Sequence, residues 1–289
     1  KEGEARLEEL RAQLASIEQE TARLASLGRI RAAAPGEPFV LGWTHGTIKV
    51  LKQDPFPGRL EEPIVLEAAR GEYEPAQLFL FATTQPLEGV KVELSDLHGP
   101  GGTSIGRECL SWRLVGYAVT TKPTYRVDYV GEWPDPLYTV DEFAVPAGEH
   151  QIAWLTAFVP RDARAGDYSG QVTVTTSVGR RSLPLHLHVW DFDLPERSSL
   201  PTMYGLNCCG RWQSSMDVDK YARNAAEHRV SLGFPGILWR GPKVQPPSFN
   251  WSGHGQVTFV VRGEGAGLDT GALYLVCEAE RGNRATYGP

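Results

Sequence analysis

The region between Phe39 and Pro195 is a long series of candidate β-strands with no helical pattern between them. Short apolar or alternating segments recur along it and read, in order, FVLGWTH, TIKVL, EPIVLEAA, PAQLFLFATT, VKVELSDL, SWRLVGYAVT, HQIAWLTAFV, GQVTVTT and RSLPLHLHVWDFDL. Glycine, proline and aspartate clusters such as HGPGGTSIG separate these segments, as they do at turns between strands. Many strands without intervening helices are typical of two packed antiparallel sheets. We therefore predict an antiparallel β-sandwich domain over residues 36–196.

The segment PRDARAGDY, Pro160–Tyr168, predicts a turn that joins two long strands of this domain. Pro160 removes a backbone donor, Asp162 can cap a local turn, and Gly166 permits a left-handed backbone. The strand that enters the turn is apolar on both faces around Trp154, which predicts a central, buried position in its sheet.

The first 35 residues predict a helix that precedes the β region. Its apolar positions alternate at spacings of three and four, with charged and amide residues between them, and they are Leu7, Leu10, Leu14, Ile17, Thr21 and Leu24. This spacing is typical of a coiled-coil seam of about three heptads. Two interpretations stay open: an amphipathic helix that docks on its own domain or acts as a stalk, and a coil through which the chain self-associates. The segment AAAPGEP ends the helix.

After Pro195 the pattern changes to strand, helix, strand. SLPTMYGL predicts a strand, Asp217–Ser231 a helix and GFPGILW a second strand. One such unit suggests the opening of an α/β barrel, whose closed form has eight strands. We therefore interpret residues 197–259 as an incomplete start of a (β/α)8 barrel. Barrel ligands bind just beyond strand ends, so Asn207, Trp239 and Arg240 are the predicted substrate-binding residues.

The last 30 residues, 260–289, have a different composition, rich in arginine, glycine and alanine. We treat them as a divergent tail and hypothesise that they arise from a shifted reading frame or a truncation.

The charge and composition of the chain limit which classes of molecule it is expected to bind. The net charge of −6 and the lack of a basic stripe interleaved with aromatic residues argue against nucleic acid. No stretch of 18 consecutive apolar residues occurs, so no membrane span is predicted. The four cysteines include no CxxC motif, no dinucleotide or phosphate-binding fingerprint occurs, and no cofactor is predicted. We favour a secreted or cell-envelope location, although the cysteines leave the compartment undecided.

Two side-chain groups could hold a functional site, and each also has a structural interpretation. His186 and His188 alternate onto one strand face, where Asp191 and Asp193 could complete a metal site. We favour instead a polar, solvent-facing side of an outer strand, and we predict no metal.

The adjacent acids Asp141 and Glu142 resemble a catalytic carboxyl pair, since glycoside cleavage uses two such groups. They fall on a loop beside a Pro-Ala-Gly turn, and we reject them as catalytic. Arg70, Glu72 and Glu74, in RGEYEP, are expected to close a sheet edge.

Several motifs in the same order resemble glycoside hydrolase family 123 and its uncharacterised relatives. They are RGEYEPAQLFLF, WPDPL, PRDARAGDYSGQVTV and LHVWDFDLP followed after four residues by LPTMYGL. DKYARNAAEHRVS is similar to the first barrel helix of that family. The resemblance runs from about Phe39 to Phe259.

The resemblance implies a β-sandwich followed by a catalytic (β/α)8 barrel. Characterised members are β-N-acetylgalactosaminidases that use an adjacent Asp-Glu pair deep in the barrel. The Glu is the acid/base, and the Asp orients the acetamido oxygen of the substrate, which attacks the anomeric carbon. By the resemblance this pair would lie beyond residue 289, and Asp141-Glu142 does not match it in position or context.

The sequence is therefore compatible with two functions. The first is a glycoside hydrolase-like protein of a lineage that acts on terminal N-acetylhexosaminides, here without its catalytic acid pair. The alternative is a non-catalytic β-sandwich that binds glycans or mediates assembly, with Trp43 and Trp133 expected to be exposed for stacking on sugars.

Overall fold

The computed structural model describes residues 2–121, 127, 129–196, 204–205, 224–230, 232–233, 275–278 and 284–287. The chain divides into two compact units, Lys1–Leu194 and Pro195–Pro289.

The first unit opens with a helix, α1 (Glu2–Ala33), and continues as strands. These are β1 (Phe39–His45), β2 (Arg59–Leu60), β3 (Ile64–Arg70), β4 (Tyr73–Ala82), β5 (Leu87–Leu94), β6 (Leu97–His98), β7 (Ser104–Ile105), β8 (Leu110–Val119), β9 (Glu132–Tyr138), β10 (Phe143–Val145), β11 (His150–Phe158), β12 (Gly166–Thr176) and β13 (Gly179–Asp193).

The strands form two sheets. The first has the order β2-β1-β4-β11-β8-β9, and every neighbouring pair is antiparallel. The second has the order β10-β5-β12-β13-β3, and β6 pairs with both β12 and β7. In this sheet β13 and β3 are parallel, with Leu185 opposite Ile64. The prediction of a mainly β fold is confirmed. The second sheet is mixed and not purely antiparallel, because the chain passes from β3 into the first sheet and β3 then pairs with β13, a strand that comes much later in the chain.

The main hydrophobic core lies between the two sheets. Along β13 the buried residues alternate with exposed ones, so that Leu183, Leu185, Leu187 and Val189 all face this core. Each fully buried aliphatic side chain of this kind contributes about 1.5–3 kcal/mol. Strand β11 lies between β4 and β8 and is apolar on both faces, as the sequence around Trp154 predicts.

A second apolar cluster covers the outer face of the first sheet. The rings of Phe56 and Phe79 stack there with centroids 3.9 Å apart. The last turns of α1 add Ile30 and Ala34, both buried, and partly buried Leu27. The helix is thus anchored by its C-terminal end.

The segment Pro160–Tyr168 carries the chain from one sheet to the other, because β11 belongs to the first sheet and β12 to the second. Ala163 donates its backbone N–H to the carbonyl of Pro160 at 3.1 Å. The Tyr168 hydroxyl donates to the carbonyl of Arg164 at 2.8 Å, and its ring is fully buried. The predicted turn is therefore a crossover between sheets and not a hairpin.

Gly166 ends this crossover with φ at +130°, in the region that favours glycine. A Cβ on Gly166 would lie 2.6 Å from Cγ of Pro100, so both the backbone and the surrounding space require glycine.

Two strand predictions are corrected. The segment TIKVL, 47–51, is not a strand: it belongs to an irregular stretch that lays Val50 and Phe56 over the first sheet. The segment WPDPL was not predicted as a strand, yet it lies in β9. Pro134 and Pro136 are tolerated because β9 is an edge strand whose neighbour in the sheet is β8.

The second unit contains two small strand pairs among its described residues. Strands β14 (Tyr204–Gly205) and β15 (Leu232–Gly233) are parallel, and residues 224–227 between them are helical. Parallel strands joined through a helix form the connection that α/β folds use. Strands β16 (Leu275–Glu278) and β17 (Arg284–Tyr287) are antiparallel. The barrel start stays a prediction.

Candidate functional site

The substrate-binding residues predicted from the sequence, Asn207, Trp239 and Arg240, lie outside the described residues. Within the first unit, the candidate site is a cleft of about 290 Å³ between α1, the stretch 46–58 and the outer face of the first sheet. Its lining combines aromatic and polar residues, namely Arg23, Ser26, Leu27, Ile30, Lys52, Gln53, Asp54, Phe56, Phe79, Phe81, Glu132, Gly148, Glu149 and His150.

Lys52 is the central polar group of the cleft. Its Nζ donates to the carbonyl oxygen of His150 and to Oε1 of Gln151, the latter at 3.2 Å. Burial lowers the pKa of Lys52, and the negative charges of Glu149 and Glu132 partly oppose that shift. The ammonium is therefore held in place while it is partly removed from water.

Tyr117 lies beside this lysine, on β8. The Nζ of Lys52 is 4.8 Å from the centre of the Tyr117 ring, a cation–π distance. The Tyr117 hydroxyl is buried and has no hydrogen-bond partner among the described residues, and burial raises its pKa. The phenol therefore stays protonated and is free to donate.

His150 is the second buried polar group of the cleft. Its side chain lies against Phe79, with ring centroids 5.1 Å apart, and within the part of the chain that the structure describes its Nε2 has no hydrogen-bond partner. Burial first, and then the charge of Lys52, lower the pKa of His150 to about 3. The imidazole is neutral at physiological pH, and its free Nε2 is a polar atom that a water molecule or a ligand group would satisfy.

The arrangement favours recognition over bond cleavage. Phe56, Phe79 and Phe81 form the inner wall of the cleft, where each is at most 3% exposed and packs beneath the surface. The polar contacts to a ligand would therefore come from the lysine and, to a smaller extent, from the neutral imidazole, groups that suit small polyhydroxylated ligands. Glu132 and Glu149 are exposed to solvent. A general acid for glycoside cleavage needs a desolvated site that keeps it protonated, which these exposed carboxyls lack.

The two tryptophans expected to stack on sugars have different environments. Trp133 is partly exposed and directly follows the cleft residue Glu132 in β9; its ring centre is 4.3 Å from Nζ of Lys49 and 5.4 Å from the ring centre of Tyr129. Trp43 is buried in the main core with 2% exposure, so the expectation that it is exposed is wrong. It lies on a β1 face that the second sheet covers.

The histidine pair lies on the second sheet. Nδ1 of His186 is 3.2 Å from the hydroxyl of Ser169, and Nδ1 of His188 is 2.6 Å from a carboxylate oxygen of Asp167. Each imidazole therefore has a separate partner on the neighbouring strand β12. Across the part of the chain that the structure describes, no group of three or more His, Cys, Asp and Glu side chains is placed to hold a metal ion.

Arg70 joins the ends of β3 and β13. Its Nε donates to Asp193 at 2.7 Å, and a terminal nitrogen donates to Asp191 at 3.0 Å. Glu72 accepts the backbone N–H of Ala69 at 2.7 Å. The RGEYEP segment thus connects the ends of β3 and β13 at the bulge in β13. Asp191 and Asp193 are both paired with Arg70.

Asp141 and Glu142 are exposed, and Glu142 is 3.8 Å from Nζ of Lys91. This is a surface ion pair of small energetic weight.

Sequence reasoning missed Lys52 and His150. They are 98 positions apart along the chain, and only the pairing of β11 in the sheet brings them together. The one local signal is a histidine at the start of an otherwise apolar strand.

Comparison with known proteins identifies the sandwich. Residues 43–176 match the family model of the glycoside hydrolase 123 N-terminal domain. A solved family 123 glycoside hydrolase from Clostridium perfringens, described for glycolipid glycan hydrolysis, matches with a TM-score of 0.56 at 15% identity, over 66% of this chain and 36% of that chain. The resemblance to family 123 predicted from the sequence is confirmed for this region.

The remaining comparisons say less about this chain than the family match does. At 15% identity the Clostridium perfringens structure shows the shared fold, and this chain spans about a third of that enzyme's length. A FixG-related protein from Vibrio parahaemolyticus matches with a TM-score of 0.28 at 9% identity, over 53% of this chain and 97% of that one. No curated protein sequence matches the chain.

Proposed function

We propose that the chain is the sandwich-bearing part of a glycoside hydrolase-like protein whose lineage acts on terminal N-acetylhexosaminides of the N-acetylgalactosamine type. The observation that carries this proposal is the family 123 match over residues 43–176. The fold shared with a family 123 glycoside hydrolase supports it. In the mechanism that the family implies, the acetamido oxygen of the substrate attacks the anomeric carbon while a Glu acts as acid and then as base.

The sandwich itself would not supply that chemistry. Its adjacent acids, Asp141 and Glu142, are both exposed, Glu142 forms a surface ion pair with Lys91, and the carboxyls of the cleft rim are also solvated. We therefore expect the 289 residues alone to leave glycosidic bonds intact.

The test is hydrolysis of a chromogenic N-acetylgalactosaminide by the purified 289-residue chain, which we expect to match the buffer blank. Turnover above the blank would overturn the statement that the acid pair is missing. The coding sequence beyond Phe259 is then read for an in-frame continuation that carries an Asp-Glu pair. The extended protein should hydrolyse this substrate, and its Glu-to-Gln variant should not.

A second candidate is a non-catalytic module that binds glycans. The favouring observation is the cleft, with its phenylalanine wall, neutral His150 and partly buried Lys52. On a glycan array, Lys52→Met and Trp133→Ala should weaken binding. Trp190→Ala, which removes an exposed tryptophan on the second sheet, is the matched control and should leave it unchanged. A blank array would reject glycan binding and leave assembly as the alternative role.

A further inference from the structure

The N-terminal part of α1 carries an apolar stripe that none of the described residues of the first unit covers. Its aliphatic members are between 46% and 64% exposed, and they are Leu7, Leu10, Leu14, Ile17 and Leu24. We call these five residues, together with Thr21, the seam. Isolated exposed aliphatic side chains are ordinary, but five on one face of one helix form a continuous apolar surface.

The seam is distinct from the face by which α1 docks on the sandwich. The docked positions are Ser26, Leu27, Ile30, Ala33 and Ala34, all buried or half-buried. At 100° per residue the docked face and the seam point in roughly opposite directions around the helix axis. The fold therefore anchors α1 by one side and leaves the seam facing solvent over about 26 Å.

We propose that the seam is a self-association surface on which two copies of this chain pair as an antiparallel two-stranded coiled coil. In this arrangement the core layers bring Leu14 of one copy against Ile17 of the other and Leu7 against Leu24. Two layers pair Leu10 with Thr21. Each seam is thus covered by the seam of the second copy.

Charge at the flanking positions selects the antiparallel arrangement. In a parallel pair the g position of one helix faces the next e position of the other, which places Arg6 opposite Arg11 of the second copy, twice by symmetry. In an antiparallel pair e positions face e positions, which places Arg11 opposite Glu18 of the second copy, also twice. Like charges repel and opposite charges attract, so the antiparallel pair is favoured.

The intrahelical contacts allow this rearrangement. Arg11 contacts Glu8 at 3.2 Å, and both side chains are largely exposed. An exposed pair of this kind contributes at most about 1 kcal/mol, so Arg11 can turn toward a second copy at little cost. The proposal is independent of sugar chemistry, because α1 precedes the family match at 43–176.

The first experiment measures the mass of the full chain by sedimentation equilibrium across the micromolar range. We expect a monomer–dimer equilibrium whose dissociation constant rises at least about tenfold in Leu14→Lys, since each dimer then buries two ammonium groups in its central layers. Ala22→Lys adds the same charge on an exposed face away from the seam and should change the constant little. A thermal melt checks folding, and both variants should keep a cooperative transition, because Leu14 and Ala22 are exposed.

The second experiment fixes the direction of pairing. Arg11→Glu and Glu18→Arg should each weaken the dimer, because each places like charges opposite each other in the antiparallel pair, and the double variant should restore it. Strengthening by Arg11→Glu would show a parallel pair and overturn the proposed arrangement. A monomer at every concentration, or a dimer that Leu14→Lys leaves intact, would overturn the seam as the interface. None of these outcomes bears on hydrolysis.

Discussion

We expect acid to destabilise the sandwich through the imidazole of His150. Its pKa falls from an ordinary 6.5 to about 3 in the folded protein, chiefly because the ring is buried. Between these values the unfolded chain binds a proton on this side chain and the folded chain does not. The contribution of neutral His150 to stability is therefore complete above pH 6.5 and decreases as the pH falls toward 3.

The size of the effect follows from the width of that window. Each pH unit below 6.5 removes about 1.4 kcal/mol, so at pH 4.5 the loss from His150 alone is about 2–3 kcal/mol relative to pH 7.5. The pKa values of Glu61 and Glu74 are raised by burial, and these two groups act in the opposite sense as acid is added. A comparison of variants is needed to isolate the histidine.

Urea denaturation at pH 7.5 and pH 4.5 makes this comparison. His150→Gln and His150→Phe both remove the titrating group, one keeping a polar tip and the other keeping a ring against Phe79. The native chain should lose about 2–3 kcal/mol more between the two pH values than either variant does. Equal losses in all three proteins would refute the reasoning, whatever the variants do to stability at pH 7.5.

Three further outcomes test the packing by chemical denaturation. Gly166→Ala should lower the free energy of unfolding by about 1–3 kcal/mol, because its φ of +130° and a nearby proline ring both exclude a Cβ; an unchanged midpoint would contradict this. Tyr168→Phe should cost about 1 kcal/mol through its lost bond to the carbonyl of Arg164, whereas a neutral result would show that water replaces the bond. Arg181→Met removes a 2.8 Å contact to half-buried Glu61 and should cost about 1–3 kcal/mol at pH 7.5. That loss should shrink at pH 4.5, where the raised pKa of Glu61 lets its carboxyl be neutral.

The local sequence pattern predicted two strands correctly, β1, which is buried on both faces, and β13, along which burial alternates. Strand β1 has the bounds that FVLGWTH predicts, and the alternation LPLHLHV matches the buried and exposed faces of β13. The same logic failed for TIKVL, because an apolar segment can cover a sheet as well as join one. It also passed over β9, where Pro134 and Pro136 argue against a strand until its edge position is known.

The candidate site could not be predicted from the sequence, because its geometry is not local. Lys52 lies within the irregular stretch 46–58, and His150 begins a strand 98 positions later. Neither the burial that lowers both pKa values nor the wall of phenylalanine rings exists until the sheet and the end of α1 have packed together.

The parallel pairing of β3 with β13 has a consequence for the order of folding. Strand β3 has β13 as its neighbour in the sheet, and its pairing residues are made roughly 120 positions before those of β13. At about 5–20 residues per second, β3 leaves the ribosome many seconds before its partner exists. During synthesis the first sheet can assemble up to β11 while the edge of β3 stays open. The second sheet is therefore completed last. Only then does β13 cover the edge of β3 to which another nascent chain could bind.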